Sequence, residues 1–242
     1  MARLRNPFDP ATVGCAASIA VIGLGRFGTA LALELMRHGT EVLGIDTDEE
    51  LVQSLNGHLT AVVAGDATKP ELIEQLGLAE FDRVVVAIGT DVTANILATS
   101  QLLRVGVREV WAKAIDERHA LILDQLGVHH VVRPEADMGR RVAHMVRGAL
   151  EDFTEIEPGY AAARLEVPEP LLAVPLRELG LQAKHAIGIG AVKRDGRWML
   201  ANPETRFEHG DTVLVHGLTA KVEAFAVLLA KQRGGGVDRR RS

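Results

Sequence analysis

The sequence predicts an α/β protein: a doubly wound parallel sheet followed by a small α+β domain. Three observations carry that expectation. Short apolar runs bounded by glycine alternate with segments of helical periodicity from about residue 17 to residue 135. The first of these runs leads into Gly23-x-Gly25-x-x-Gly28, which opens a helical segment. Beyond about residue 158 the pattern changes to short alternating strands, a tight-turn signal at Asp195-Gly196 and a closing helix.

Each element follows in order. "SIAVIG" (18–23) is an apolar run ended by glycine, hence a buried strand. Phe27, Leu31 and Leu35 then fall at helical spacing, and His38-Gly39 stops the helix. "EVLGID" (41–46) is a second strand, and "DEELVQSL" (48–55) a helix with acids in its first turn. "TAVVAGD" (60–66) is a third strand, and "KPELIEQLG" (69–77) a helix opened by Pro70 and ended by Gly77. The scheme repeats with strands at 82–89, 108–114 and 129–134 and helices at 91–105 and 117–126. Two β-α-β-α-β halves make a Rossmann-like sheet covered on both faces.

From Glu135 the segment "EADMGRRVAHMVRGALEDF" reads as one longer helix. Its stripe of Met138, Val142, Met145, Ala149 and Phe153 needs a surface that the six-stranded unit does not supply. "EPGY" (157–160) reads as a domain boundary. Strands at 162–168 and 210–217, a short helix at 175–181, a hairpin at 186–200 and a helix at 219–232 capped by Thr219 complete the chain. The expected organisation is a nucleotide-binding domain over 17–135, a crossover helix over 136–157 and a second domain over 158–232. Flexible tails occupy 1–16 and 233–242, the second ending in a solvated run of arginines.

Composition narrows the classes. The 242 residues suffice for one large domain or two smaller ones. They are 47% hydrophobic but 4% aromatic, so Val, Leu, Ile and Ala must fill the core. A net charge of -5 gives no whole-protein case for nucleic acid. No apolar run reaches the ~20 residues of a membrane span. Pro7, Asp9 and Pro10 interrupt any signal-peptide core, so a soluble cytoplasmic chain is expected. Cys15 is the only cysteine, which excludes an internal disulfide and a cysteine-based zinc site.

The chemistry gathers at strand ends. Gly23 permits a tight turn, Gly25 lets a pyrophosphate approach backbone, and Gly28 lets the helix pack close to the sheet. Phe27 lies in the same turn, where free N–H groups face phosphate. Asp46 follows Gly28 by 18 residues, the distance expected of an acid that binds ribose hydroxyls. A carboxylate there suits NAD(H), ATP, ADP or AMP and repels a 2′-phosphate; Asp48 lies just beyond it. Arg26 can reach a diphosphate or triphosphate, a plain surface arginine being its alternative. "GDAT" (65–68) closes the third strand, so Asp66, Ala67 and Thr68 lie at the adenine edge; helix capping is the alternative for Asp66. Ala87, Ile88 and Gly89 end the fourth strand at the topological switch point. Lys113 ends the fifth strand toward the crevice and is the best candidate for catalysis, with phosphate or side-chain binding as the simpler use. His129-His130 have no third ligand at metal spacing, the other histidines are scattered, and no hydrolase motif is present.

"GLGRFG" (23–28), Asp46, "AIGTDVTAN" (87–95), "VWAKA" (110–114) and "RPEADMG" (133–139) resemble the N-terminal lobe of RCK (regulator of potassium conductance) domains, in order and spacing. "QAKHAIGIGAVKRDGRW" (182–198) and "NPETRFEHGDTVLVHG" (202–217) resemble their C-terminal lobe. Over about residues 17–230 the chain resembles the cytosolic regulatory subunits of Ktr- and Trk-type potassium transporters. The Ktr type is nearer, because one RCK unit is present rather than two.

The resemblance implies a homo-oligomer, usually an octameric ring of RCK dimers, under a membrane potassium-translocating subunit of the KtrB or TrkH kind. It implies that ATP favours activity and ADP the resting form, NAD(H) being the ligand of Trk relatives. Gly23, Gly25 and Gly28 would hold phosphates, Asp46 ribose, and Arg26 the terminal phosphate, including a neighbouring subunit's. Glu135 would bind Na⁺ or Mg²⁺ at the dimer interface, a first-turn acid being the alternative. The helix after the sixth strand would cross to the partner. Gln182 stands where cyclic di-AMP-binding relatives carry arginine, so that ligand is not expected. The expected function is nucleotide-sensing gating without catalysis, at the inner face of the membrane. The rivals are an NAD-dependent oxidoreductase and a regulator of another cation carrier.

Overall fold

The computed structural model describes residues 18–147 and 150–234. The leader with Cys15, residue Ala149 and the end of the chain beyond 234 lie outside the described residues. The chain divides into two units, Met1–Ala136 and Asp137–Ser242.

The first unit is built on β1 (Ser18–Ile22), α1 (Arg26–Arg37), β2 (Glu41–Asp46), α2 (Glu49–Leu55), β3 (Ala61–Ala64), α3 (Pro70–Gln75), β4 (Arg83–Val86), α4 (Val92–Arg104), β5 (Val110–Lys113), α5 (Glu117–Gln125) and β6 (His130–Val132). The strands pair in parallel in the order β3-β2-β1-β4-β5-β6, so the direction in which successive strands are added reverses between β1 and β4. Side chains alternate across each strand. Ile19 and Val21 pack with Ala32 and Leu55 of α1 and α2. Ala20 and Ile22 pack with Ala98, Leu102 and Leu123 of α4 and α5. The uninterrupted apolar runs of the sequence are the signature of this two-sided burial.

Asp48, Asp91 and Asp116 cap α2, α4 and α5, each carboxylate accepting backbone N–H groups of the first turn. Pro70 opens α3, as expected, but its N-cap is Lys69. The capping alternative for Asp66 therefore does not hold: its Oδ1 accepts from the backbone N and hydroxyl of Thr68, closing a local turn.

α6 (Pro134–Arg147) begins in the first unit. The second unit then holds β7 (Asp152–Glu157), β8 (Tyr160–Glu166), α7 (Leu176–Leu179), α8 (Leu181–His185), β9 (Ile187–Arg194), β10 (Arg197–Leu200), β11 (Thr212–Leu218) and α9 (Thr219–Gly234). Its strands form an antiparallel sheet in the order β10-β9-β11-β8-β7. Phe153, Ala161, Ala163, Leu165, Val213 and Val215 face Val222, Phe225 and Leu229 of α9. Asp195 and Gly196, at φ 49° and 79°, make the expected tight turn between β9 and β10.

Four expectations are corrected. Residues 136–157 are not one helix: α6 ends at Arg147 and β7 starts at Asp152. Phe153 belongs to that strand, 2% exposed, and not to a helical stripe. "EPGY" is the turn of the β7–β8 hairpin, with Glu157 paired to Tyr160, rather than a boundary. Thr219 is the first residue of α9 and its buried hydroxyl has no hydrogen-bond partner, so it makes no side-chain cap.

Candidate functional site

The C-terminal ends of the parallel strands converge on one crevice. Gly23 follows β1, Asp46 ends β2, Asp66 follows β3, Ala87 follows β4, Lys113 ends β5 and Glu135 follows β6. The turn after β1 is set by close packing. Gly23 sits at φ 92°, and a Cβ there would lie 2.8 Å from the Ile88 nitrogen. A Cβ on Gly28 would lie 1.8 Å from the Gly23 carbonyl oxygen, so α1 can pack here only on glycine. Gly25 differs: nothing lies within 4 Å of its Cβ position. It is the N-cap of α1 without a side-chain bond, and no acid stands in the first turn. The N–H groups there are left to an external acceptor.

Asp46 is oriented by backbone. Its Oδ2 accepts from the Leu24 N–H at 2.6 Å and its Oδ1 from the Asp48 N–H at 3.0 Å. Each carboxylate oxygen keeps a second lone pair for a ribose hydroxyl. Asp48 spends its Oδ1 on the Glu50 and Leu51 N–H groups. Hydrogen bonds from Thr68 hold the Asp66 carboxyl below its ordinary range. Ala67 is buried beside it, and Ala87 lies in the core under α1. Arg26 is exposed at the first position of α1.

Lys113 is the least solvated cation of the crevice, 7% exposed. Its Nζ donates to Glu135 Oε1 at 2.6 Å and lies 5.6 Å from the Phe27 ring centre. A Cβ on Gly89 would come within 3.0 Å of that Nζ. The hydrogen bond from Lys113, against some burial and with added attraction from Arg26, holds the Glu135 carboxyl below its usual range. Lys113 is thus committed to a carboxylate, which does not suit a proton-transfer role.

Asn95 braces the crevice, although the motif spacings do not single it out. Fully buried on α4, it donates through Nδ2 to the Ile88 carbonyl at 2.7 Å and the Lys113 carbonyl at 3.0 Å. It fixes the switch-point loop to the end of β5. A signal existed: Asn95, Ala98, Thr99 and Leu102 form the buried face of α4, and a polar residue there needs a backbone partner.

A nucleotide fits these residues: a glycine turn, open helix N–H groups, an oriented carboxylate with lone pairs to spare and two cations. A bound cation fits less well. No group of three or more candidate ligands exists among the described residues, and the Glu135 carboxylate is already engaged. Histidines in both units have other partners. His129 Nδ1 accepts from Val110 N–H, His130 stacks on Trp111 at 4.0 Å, and His144 stacks on Phe153 at 4.0 Å. Among the described residues no helix is long and apolar enough to cross a membrane.

Known proteins resemble this chain in sequence and fold. A family model described as the TrkA-N domain matches residues 19–134. The chain is 35% identical over 198 residues to the Ktr system potassium uptake protein C of Bacillus subtilis (strain 168), covering 81% of this chain and 89% of that one. It is 36% identical over 201 residues to the Ktr system potassium uptake protein A of Vibrio alginolyticus, covering 82% and 91%. Among solved structures, the GsuK RCK domain matches with a TM-score of 0.62 at 17% identity, over 90% of this chain and 48% of that one. The GsuK channel bound to NAD matches with a TM-score of 0.63 at 16% identity, over 90% and 40%. This chain spans half or less of those GsuK chains, and the likeness is one of fold. From the TrkA-N match and from identity over most of both chains, this protein belongs to the family of the Ktr system potassium uptake proteins A and C.

Proposed function

We propose that this protein is a nucleotide-sensing regulatory subunit of a potassium uptake system, and not an enzyme. The supporting observation is the crevice: a glycine turn with open helix N–H groups and an oriented carboxylate at Asp46, beside which Lys113 meets Glu135 in the first turn of α6. The names of its relatives supply the potassium uptake.

ATP or ADP is the proposed ligand, with NAD(H) second. Gly23, Gly25, Phe27 and Gly28 receive the phosphates, Asp46 the ribose, and Asp66, Ala67 and Thr68 the adenine edge. Ala87, Ile88 and Gly89 close the crevice opposite, and Asp48 flanks the ribose. Arg26 reaches the terminal phosphate. NAD(H) fits the same carboxylate at Asp46, and NAD is the ligand named for the solved GsuK channel. A Mg²⁺ or Na⁺ at Glu135 would need further ligands from a phosphate or a second subunit.

The protein acts as a homo-oligomer, an octameric ring, on a membrane potassium-translocating subunit at the cytoplasmic face. Leu97 on α4, Leu121 and Ile122 on α5 and Leu126 just after it stand 38–58% exposed in the single chain, apolar area that a neighbouring subunit would cover. Regulation follows from population shift: two ring shapes differing by about 1.4 kcal/mol in nucleotide affinity change tenfold in ratio. Titration with ATP, ADP and NAD⁺, with a turnover assay on NAD⁺ and simple alcohols, tests the reading. Binding without turnover is expected, and robust NAD⁺ reduction would overturn it.

A further inference from the structure

Beneath the switch-point loop, where α4 packs against β5 and α5, three side chains carry atoms with no hydrogen-bond partner among the described residues. They are Asn95 Oδ1 and Thr99 Oγ1 of α4, and Nε2 of His119 in the first turn of α5. Asn95 and Thr99 are 0% exposed and His119 2%. Polar atoms this deep are satisfied as a rule, so three in one region call for a shared partner. Neighbouring backbone brings them together. Asn95 is bonded to the Lys113 carbonyl, and His119 to the Ile115 N–H two residues farther along the chain. Thr99 lies one helical turn from Asn95 on the buried face of α4, and Ala98, Leu102, Ala114 and Leu123 form one core around them.

The bonds already made fix what each free atom needs. Asn95 turns both amide hydrogens to the Ile88 and Lys113 carbonyls, so Oδ1 is an acceptor on the other side. His119 Nδ1 accepts from the Ile115 N–H at 3.4 Å, so the ring proton rides on Nε2, a donor. Burial holds the ring below its ordinary histidine pKa, with Asp116 pulling the other way, in keeping with the neutral form. The Thr99 hydroxyl serves in either sense.

We propose that one water molecule is enclosed among these three atoms. It accepts from His119 Nε2–H, donates to Asn95 Oδ1 and makes its third bond with the Thr99 hydroxyl. One donor, one acceptor and one group of both kinds match what a water offers, and three bonds are usual for an enclosed one. His119 is then a positioning residue. Through the water it holds the Asn95 carboxamide in the orientation that ties Ile88 to the end of β5. The site is a property of the folded first unit and stands whatever ligand the crevice takes.

The test uses the full chain. A high-resolution crystal structure should show one water within hydrogen-bond distance of all three atoms. Nitrogen-15 spectra of the histidine rings should show His119 neutral, with its proton on Nε2. Variants then read the hold on Asn95 through the exchange rate of its side-chain amide hydrogens. Thr99→Val and His119→Met should each speed that exchange about tenfold, whereas Thr99→Ser and His119→Gln, which keep a hydroxyl and a side-chain donor, should stay within about threefold of the parent. The double variant Thr99→Val with His119→Met should be little faster than either single change, because each empties the same site. A crystal structure without that water, whether the three atoms bond one another or stay apart, overturns the proposal, as does a His119 proton on Nδ1. Additive speeding in the double variant overturns it too, as does exchange in Thr99→Ser and His119→Gln as fast as in the apolar variants. Where a variant fails to fold, the crystal structure and spectra of the parent still decide.

Discussion

A single methyl group separates the roles of the turn glycines. Gly28→Ala drives a carbon into the Gly23 carbonyl at 1.8 Å and should cost about 3 kcal/mol, seen as a lower melting temperature. Gly25→Ala meets open space, so its melting temperature should hold while nucleotide affinity falls. A Gly28→Ala protein that melts like the parent would contradict the packing described for α1. Asn95→Leu should cost about 2 kcal/mol, because the Ile88 and Lys113 carbonyls lose a buried donor. Arg26→Ala should weaken ATP more than ADP; equal loss in a titration would contradict its terminal-phosphate role. The glycines and Asp46 were legible because their spacing is local and their chemistry is fixed by residue type. Asn95 and the Lys113–Glu135 pair were not, because their partners lie 7, 18 and 22 residues away and meet only in the folded chain.

At the scale of elements, the parallel sheet was readable because burial on both faces leaves unbroken apolar runs between glycines. The end of α6 was misread because a helical stripe can run into a strand by coincidence. Phe153 falls in step with Met145, yet it is an inward residue of β7, and Asp152 beside it receives Arg141 from α6. That junction and the β9–β11 end of the second unit are held by carboxylates below their usual range. For Asp152 the cause is its hydrogen bond from Arg141. For Asp211 burial pushes upward, but Arg194 and the Glu208 N–H outweigh it. A carboxyl lowered by folding stabilises above its unfolded pKa, and that stability is lost as pH falls through the folded value. The denaturant midpoint of the second unit should therefore hold near pH 6 and drop below about pH 4. An acid-independent midpoint would contradict these pairs. Arg194→Met strands Asp211, which is 0% exposed, and should cost about 3 kcal/mol at neutral pH.

For the whole molecule, family membership rests on identity spread over both units, not on the glycine turn alone. That turn says only that a nucleotide is held. Beside it, Lys113 is paired with Glu135 in the first turn of α6. The exposed leucines of α4 and α5 point to neighbours. Titration of the purified protein with ATP and ADP, alongside a measurement of particle mass, tests the proposed sensing of adenine nucleotides by an assembly of these chains. Micromolar binding of both, to a particle of about eight chains, is expected. A monomer that ignores both nucleotides would contradict it.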